Sequence, residues 1–370
     1  MLPDHVEEPS PVPVPRSDVD AGGPGRASVV RLWSLVAAFV LVTLVRSLQT
    51  GIPLRDPNGA ILARRVLLTL GIFVVLLAVD AVRRAPAGSR TRARAVLLTL
   101  RHRWGARRLL LAAGALGAYH VVYFCYHNLK SWDVLNRPRD RLLLGWDRWL
   151  FLGHSPAVLL HDLLGQGVAT YVLVGVYESF STLVSVSFVA AVVLPDRIRD
   201  GYAFITSFVC VWILGVASYY AIPSLGPFHS APGEFAGLPH TLVQDTQTLY
   251  LAQRTRLLAD PSAHDAFAQV SAFASLHVGV TTVIVLMAWR LGLRRLAAVL
   301  TVFLCGTIVA TVYLGWHFFV DDLVGLGIAL VSVAAALRIV PLDGTWPRVF
   351  RPARSDGPPA GGRGRRERPR

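Results

Sequence analysis

Residues 167–194, GVATYVLVGVYESFSTLVSVSFVAAVVL, and residues 201–222, GYAFITSFVCVWILGVASYYAI, flank the short basic turn PDRIRD at 195–200. A helix needs about 20 mostly apolar residues to cross the hydrocarbon core of a bilayer, and each run has that length. Glu178 is the only charged residue in either run. Two membrane-length helices joined by an arginine-bearing turn set the class of the chain: an all-α, polytopic membrane helix bundle. Working outward, similar stretches lie at 29–48, 61–82, 109–127, 274–290, 296–314 and 318–337. The expectation is therefore about eight transmembrane helices, with a six-helix catalytic core.

Composition agrees. The chain has 370 residues, 53% hydrophobic and 16% charged, against about 25% charged in soluble domains. This balance excludes a soluble enzyme, a disordered chain and a disulfide-stapled secreted domain. Cys125, Cys210 and Cys305 fall inside apolar stretches and read as small buried hydrophobes. Residues 1–28, rich in Pro, Gly and acid, read as a disordered cytoplasmic tail. Residues 29–108 hold two additional spans and a basic loop, 109–340 the catalytic membrane domain, and 341–370 a disordered basic tail.

The net charge of +14 raises the question of an anionic partner, and its distribution answers it. Loop 83–108 carries nine arginines and no acid, and the stretch from Arg338 to the C-terminus nine arginines against three acids. Positive charge of this kind marks the cytoplasmic side. Loop 128–166 is nearly balanced, and 223–272 holds two arginines against four acids. Eight spans with both termini cytoplasmic satisfy this pattern. The excess thus reads as a topology signal with some contact to anionic lipid, and no nucleic acid is expected.

Both long loops then lie outside. The first contains RLLLGWDRWLFLG (141–153), spaced as an amphipathic interfacial helix. The second runs about 50 residues with no clear span, which suggests function rather than idle linkage. Three polar features converge on the same side: Lys130-Ser-Trp-Asp-Val-Leu-Asn-Arg137-Pro138, Phe273-Ala-Ser275-Leu-His277-Val-Gly279, and Tyr313-Leu-Gly-Trp-His317-Phe-Phe-Val-Asp321-Asp322. His317 and Asp321, at i and i+4, share a helix face. A carboxylate beside one imidazole nitrogen fixes the tautomer and frees the other as nucleophile or base. Outward-facing helix N-termini suit a phosphate, to which Lys130 and Arg137 would add a point charge and a forked contact. Such a set describes phosphoryl transfer with no metal and no cofactor.

These residues resemble the type 2 phosphatidic-acid phosphatase superfamily. Lys130, Arg137 and Pro138 match its first signature, Ser275-Leu-His277 is similar to its second, and His317-x3-Asp321 matches the end of its third. Ala274 and Leu276 stand where the family has proline and glycine, and Ala310-Thr311 where it has Ser-Arg, so its phosphate-binding arginine is missing. These departures resemble the inositolphosphotransferase branch, which includes inositol phosphorylceramide synthases and shows Phe-x-Ser-Leu-His-x-Gly and Tyr-x3-His-x3-Asp. Gly145-Trp-Asp147-x3-Phe151-x-Gly153 and the Gly226-Pro-Phe228 segment are similar to that branch too. The resemblance spans about 109–340. It implies that His317 is a nucleophile forming a phosphohistidine, oriented by Asp321, and that His277 is the general acid. Lys130, Arg137 and Ser275 would bind the phosphate.

The function implied is transfer of a phosphoinositol-like phospho-alcohol to a lipid hydroxyl, with a lipid-phosphate or polyprenyl-pyrophosphate phosphatase as the alternative. The expected partners are membrane lipid substrates in the bilayer; the oligomeric state stays open. Near-exclusive use of arginine over lysine fits a GC-rich bacterium, which puts the site at the outer face of the plasma membrane. A multi-span glycosyltransferase would carry acids in the loop between the first two spans, where only Asp56 lies. A transporter would need broken helices or paired midplane charges, for which Glu178 stands alone. The other histidines read as interfacial polar groups, Asp322 as a water-facing neighbour or helix cap, and Arg254 and Arg256 as loop charges that could replace the missing arginine.

Overall fold

A computed structural model describes residues 23–85 and 92–342. The expected tails fall outside these residues except at their inner edges. The first helix begins three residues inside the expected N-terminal tail, at Arg26, because Gly25 supplies an extended N-cap.

The described residues form helices and turns with no strand. The helices are α1 (Arg26–Thr50), α2 (Ala63–Arg84), α3 (Arg92–Arg103), α4 (Ala106–Asp133), α5 (Asp140–Leu150), α6 (Pro156–Leu164), α7 (Val168–Val193), α8 (Ile198–Ala221), α9 (Pro227–Ser230), α10 (Leu242–Ala259), α11 (Leu276–Arg290), α12 (Arg294–Tyr313) and α13 (Phe319–Ile339). Seven of them are long and apolar enough to cross a membrane, so the chain is a multi-pass membrane protein. The eighth expected span, α11, has 15 residues, or about 22 Å of helix, less than the hydrocarbon thickness. It is short because residues 270–275 enter as buried non-helical chain before the helix starts at Leu276, which sinks His277 below the surface of the bundle.

α8 lies at the centre, packed on α4, α7, α11 and α13, while α11 is enclosed by α8, α12 and α13. α1 packs on α4, and α2 on α7. Leu110, Val168 and Val302 are largely exposed; in a bilayer such faces meet acyl chains at no hydrophobic cost. Cys305 lies on such a face of α12 and is exposed, contrary to the expectation that all three cysteines are buried. At the arginine-rich end, Asp80 is held by Arg84 Nε at 2.7 Å and Arg103 Nε at 2.8 Å. Arg103 and Arg108 also donate to the carbonyls of Pro195 and its neighbours, clamping the PDRIRD turn onto α2.

The two long loops, 128–166 and 223–272, are more structured than their polarity suggests. The expected amphipathic helix forms as α5, with Trp149 and, just beyond its end, Leu152 strongly exposed. Residues 223–272 contain α10, begun by a capping box in which Thr241 and Gln244 satisfy each other's backbone.

Candidate active site

His317 is aimed by the end of α12. The helix closes with Gly315 at φ +76°, its N–H bonded to Val312 O and that of Trp316 to Thr311 O. This is a Schellman turn, which favours glycine because no Cβ opposes the left-handed conformation. The chain then enters α13 within two residues. Asp321, one turn into α13, accepts from the Phe318 N–H at 3.0 Å and places Oδ2 3.4 Å from His317 Nδ1. The predicted pair meets, but not on a shared helix face: His317 precedes the N-cap of α13, and Asp321 reaches back to it from the first turn, with neither Nδ1 nor Asp321 Oδ1 in a completed hydrogen bond.

Asp322 is where the sequence reading fails. It is buried rather than facing water. It accepts from the Thr311 hydroxyl at 3.0 Å, hydrogen-bonds Ser275, and attracts His317 electrostatically. Asp321 supplies the nearer oxygen; the charge pulling on the ring is that of Asp322. Burial nevertheless dominates and lowers the His317 pKa to about 4, with Lys130 pushing the same way against the pull of Asp322. His317 is thus held in its neutral form at physiological pH.

His277 sits in the first turn of α11, its ring centroid 5.8 Å from that of His317. Tyr177 stacks on it at 4.4 Å and on Trp316 at 5.6 Å, and Phe180 closes another side at 4.3 Å. Both histidines face one cavity of about 320 Å³, a size that holds a small polar ligand. Lys130 lines it too, with its ammonium 5.6 Å over the Tyr219 ring.

Two predicted phosphate ligands lie elsewhere. Arg137 is exposed and does not line the cavity, because α4 ends at Asp133 and the chain turns outward. Ser275 is fully buried as the N-cap of α11, and its N–H donates to Asp321 O, so it joins α11 to α13 rather than facing the cavity. Arg254 and Arg256 do not line the cavity either, and Arg256 pairs with Asp265. His120 and His161, read as interfacial, are buried against Thr69 and the Tyr313 carbonyl. Residues that do face the cavity and escaped the sequence reading are Arg65 of α2 and His127 of α4. His127 carried a signal: it lies three residues before Lys130, on the same helix face.

Three carboxylates at 133, 140 and 147, seven residues apart, fasten the walls. Asp133 accepts from the Ser271 hydroxyl at 2.9 Å. Asp140 Oδ1 accepts from the Leu225 and Gly226 N–H groups at 2.9 and 2.8 Å. Asp147 accepts from the Phe319 and Val320 N–H groups at 2.8 and 3.0 Å, placing its carboxylate at the N-terminus of α13. Burial raises the Asp147 pKa to about 6 despite these two bonds.

The paired histidines, the carboxylates behind them and a lysine in a common cavity form a constellation suited to phosphoryl transfer. No curated protein and no solved structure matches the chain. The PAP2 superfamily matches residues 141–335, which hold His277, His317 and Asp321 and leave α1–α4 outside. By that match, which covers more than half its length, the chain belongs to the PAP2 (type 2 phosphatidic-acid phosphatase) superfamily, whose members are phosphatases and phosphotransferases.

Proposed function

We propose that the protein transfers a phospho-alcohol group, of the phosphoinositol kind, from a donor lipid to a lipid hydroxyl at the extracytoplasmic face of the plasma membrane. The observation that carries this reading is the placement of His277 and His317 on one cavity beside Lys130, with Asp321 behind His317. Asp321 faces Nδ1 and leaves Nε2 to attack phosphorus. As the N–P bond forms and the bond to the departing lipid oxygen breaks, His277 gives that oxygen its proton. The acceptor hydroxyl then loses a proton to His277 as its oxygen attacks phosphorus, and the N–P bond breaks. Lys130 offsets the negative charge of the transferred group in both steps. Ser275 acts by fixing α11, and Arg137 plays no direct part.

Transfer is favoured over hydrolysis by Phe273-x-Ser-Leu-His277, by Tyr313-x3-His317-x3-Asp321, and by a cavity with room for a second alcohol beside the phosphoryl group. The test uses purified protein with donor lipid labelled at phosphorus. A new lipid conjugate is the expected product, whereas free phosphate would favour the phosphatase. In the His277→Ala protein the label should accumulate on His317; its absence there under conditions of donor cleavage would refute the covalent step.

A further inference from the structure

The cavity holds more positive charge than one phosphate needs, and the surplus stands apart from the histidine pair. α4 turns Tyr123, Tyr126, His127 and Lys130 toward it. Tyr123 and Lys130 are seven residues apart, about two turns or roughly 10 Å along the helix. Arg65 reaches the cavity from α2, its guanidinium 5.9 Å over the Tyr123 ring. The cavity therefore has two cationic poles, Lys130 near the histidines and Arg65 about two turns away. Glu178 lines the same cavity, yet among the described residues no carboxylate lies within ion-pair distance of Arg65. His127 packs edge-on against Tyr123 at 4.5 Å and Tyr126 at 4.9 Å. Both its ring nitrogens are buried without a hydrogen-bond partner among the described residues. Arg64, one residue earlier on α2, is exposed and behaves as an ordinary helix-end arginine.

We propose that Arg65 and His127 form a second anion-binding position, which takes a phosphate or carboxylate carried about 10 Å from the reacting phosphorus by one of the two substrates. A guanidinium fork matches either anion, and the imidazole supplies a further donor. Because α2 lies outside the part of the chain matched to the superfamily, the added helices take part in choosing the substrate. This rests on the cavity being the phosphoryl-transfer site proposed above.

The test uses the full chain in lipid nanodiscs. Donors are a lipid phosphodiester with a neutral polyol head and the same head bearing one more phosphate. Acceptors are a neutral lipid alcohol and one carrying an anionic group. Arg65→Gln should raise KM for the doubly anionic donor, or for the anionic acceptor, at least tenfold more than for its neutral counterpart; the arm that responds identifies which substrate brings the anion. Arg65→Lys should recover part of the loss, and Arg64→Gln should change neither arm. A second readout needs no turnover: fructose bisphosphate should bind wild type at least tenfold more tightly than fructose monophosphate, and Arg65→Gln or His127→Gln should abolish that preference. Equal KM changes in every arm, or an unchanged bisphosphate preference in folded variants, would overturn the proposal. Wild-type protein that turns over no lipid phosphate ester, yet binds bisphosphate through Arg65, would sink the catalytic reading alone.

Discussion

Asp147 lies on the amphipathic helix α5, outside the three sequence features that hold Lys130 and the two histidines, and should nevertheless control turnover. In Asp147→Ala the N–H groups of Phe319 and Val320 lose their acceptor. An orphaned, largely buried donor costs about 1–3 kcal/mol, and a lost N-cap about 1 kcal/mol, so the pair of bonds is worth about 2–4 kcal/mol. That loss falls on the first turn of α13, which carries Asp321 and Asp322 and begins two residues after His317. If about half of it appears as misplacement of the carboxylates, kcat should fall about tenfold, at about 1.4 kcal/mol per decade. Asp147→Asn keeps one acceptor oxygen but no charge, and should show about half the stability loss. Thermal unfolding in detergent micelles and steady-state turnover on the same preparations measure both quantities. An alanine variant that unfolds at the wild-type temperature and turns over within twofold of wild type would refute the argument.

Three further outcomes are expected. With its pKa held near 4, His317 stays neutral well below pH 6.5, so the acid limb of kcat/KM, which reports the free enzyme, should fall below pH 6.5. Asp322→Asn removes an attraction that favours the imidazolium and should move that limb further toward acid; a limb at or above pH 6.5 in the wild type contradicts the burial argument. Gly315→Ala should cost about 1–3 kcal/mol for a non-glycine at positive φ, with the new methyl also meeting the Phe235 ring. Its turnover should drop by more than tenfold, and unchanged activity would mean the turn does not aim His317. Lys130→Met should lower kcat/KM by at least about a hundredfold, whereas the exposed Arg137→Gln should change it by less than about threefold; the reverse order in a rate assay would put Arg137 back in the site.

The helices were legible because a bilayer imposes a length that chain composition must meet, and the His317–Asp321 pair because the two residues are close in sequence, although the turn into α13, and not a shared helix face, brings them together. What escaped depends on contacts between distant segments. Asp322 is adjacent to a predicted residue, but its partners Thr311 and Ser275 belong to α12 and α11, and only their packing turns it inward. Arg65 reads as a helix-end cation until α2 is laid against α7, and Arg137 matches a signature whose helix stops one turn too early to hold it at the cavity. α10 carried a visible signal in Thr241-x-x-Gln244, overlooked because its apolar residues follow no helical stripe. The shortness of α11 is a tertiary matter, since its approach segment is buried by neighbours rather than by its own pattern.

The carboxylates at 133, 140 and 147 also order the assembly of the site in time. Each grips a segment that leaves the ribosome later than itself: Asp140 waits for Leu225 and Gly226, Asp133 for Ser271, and Asp147 for Phe319 and Val320. The segment 133–147 is therefore made early and its last fastening, at Asp147, waits for the final helix. Until then, of these carboxylates, only Asp140 holds α5, and His317 has no Asp321 beside it. A nascent chain halted before α13 would carry most of the bundle and none of the activity.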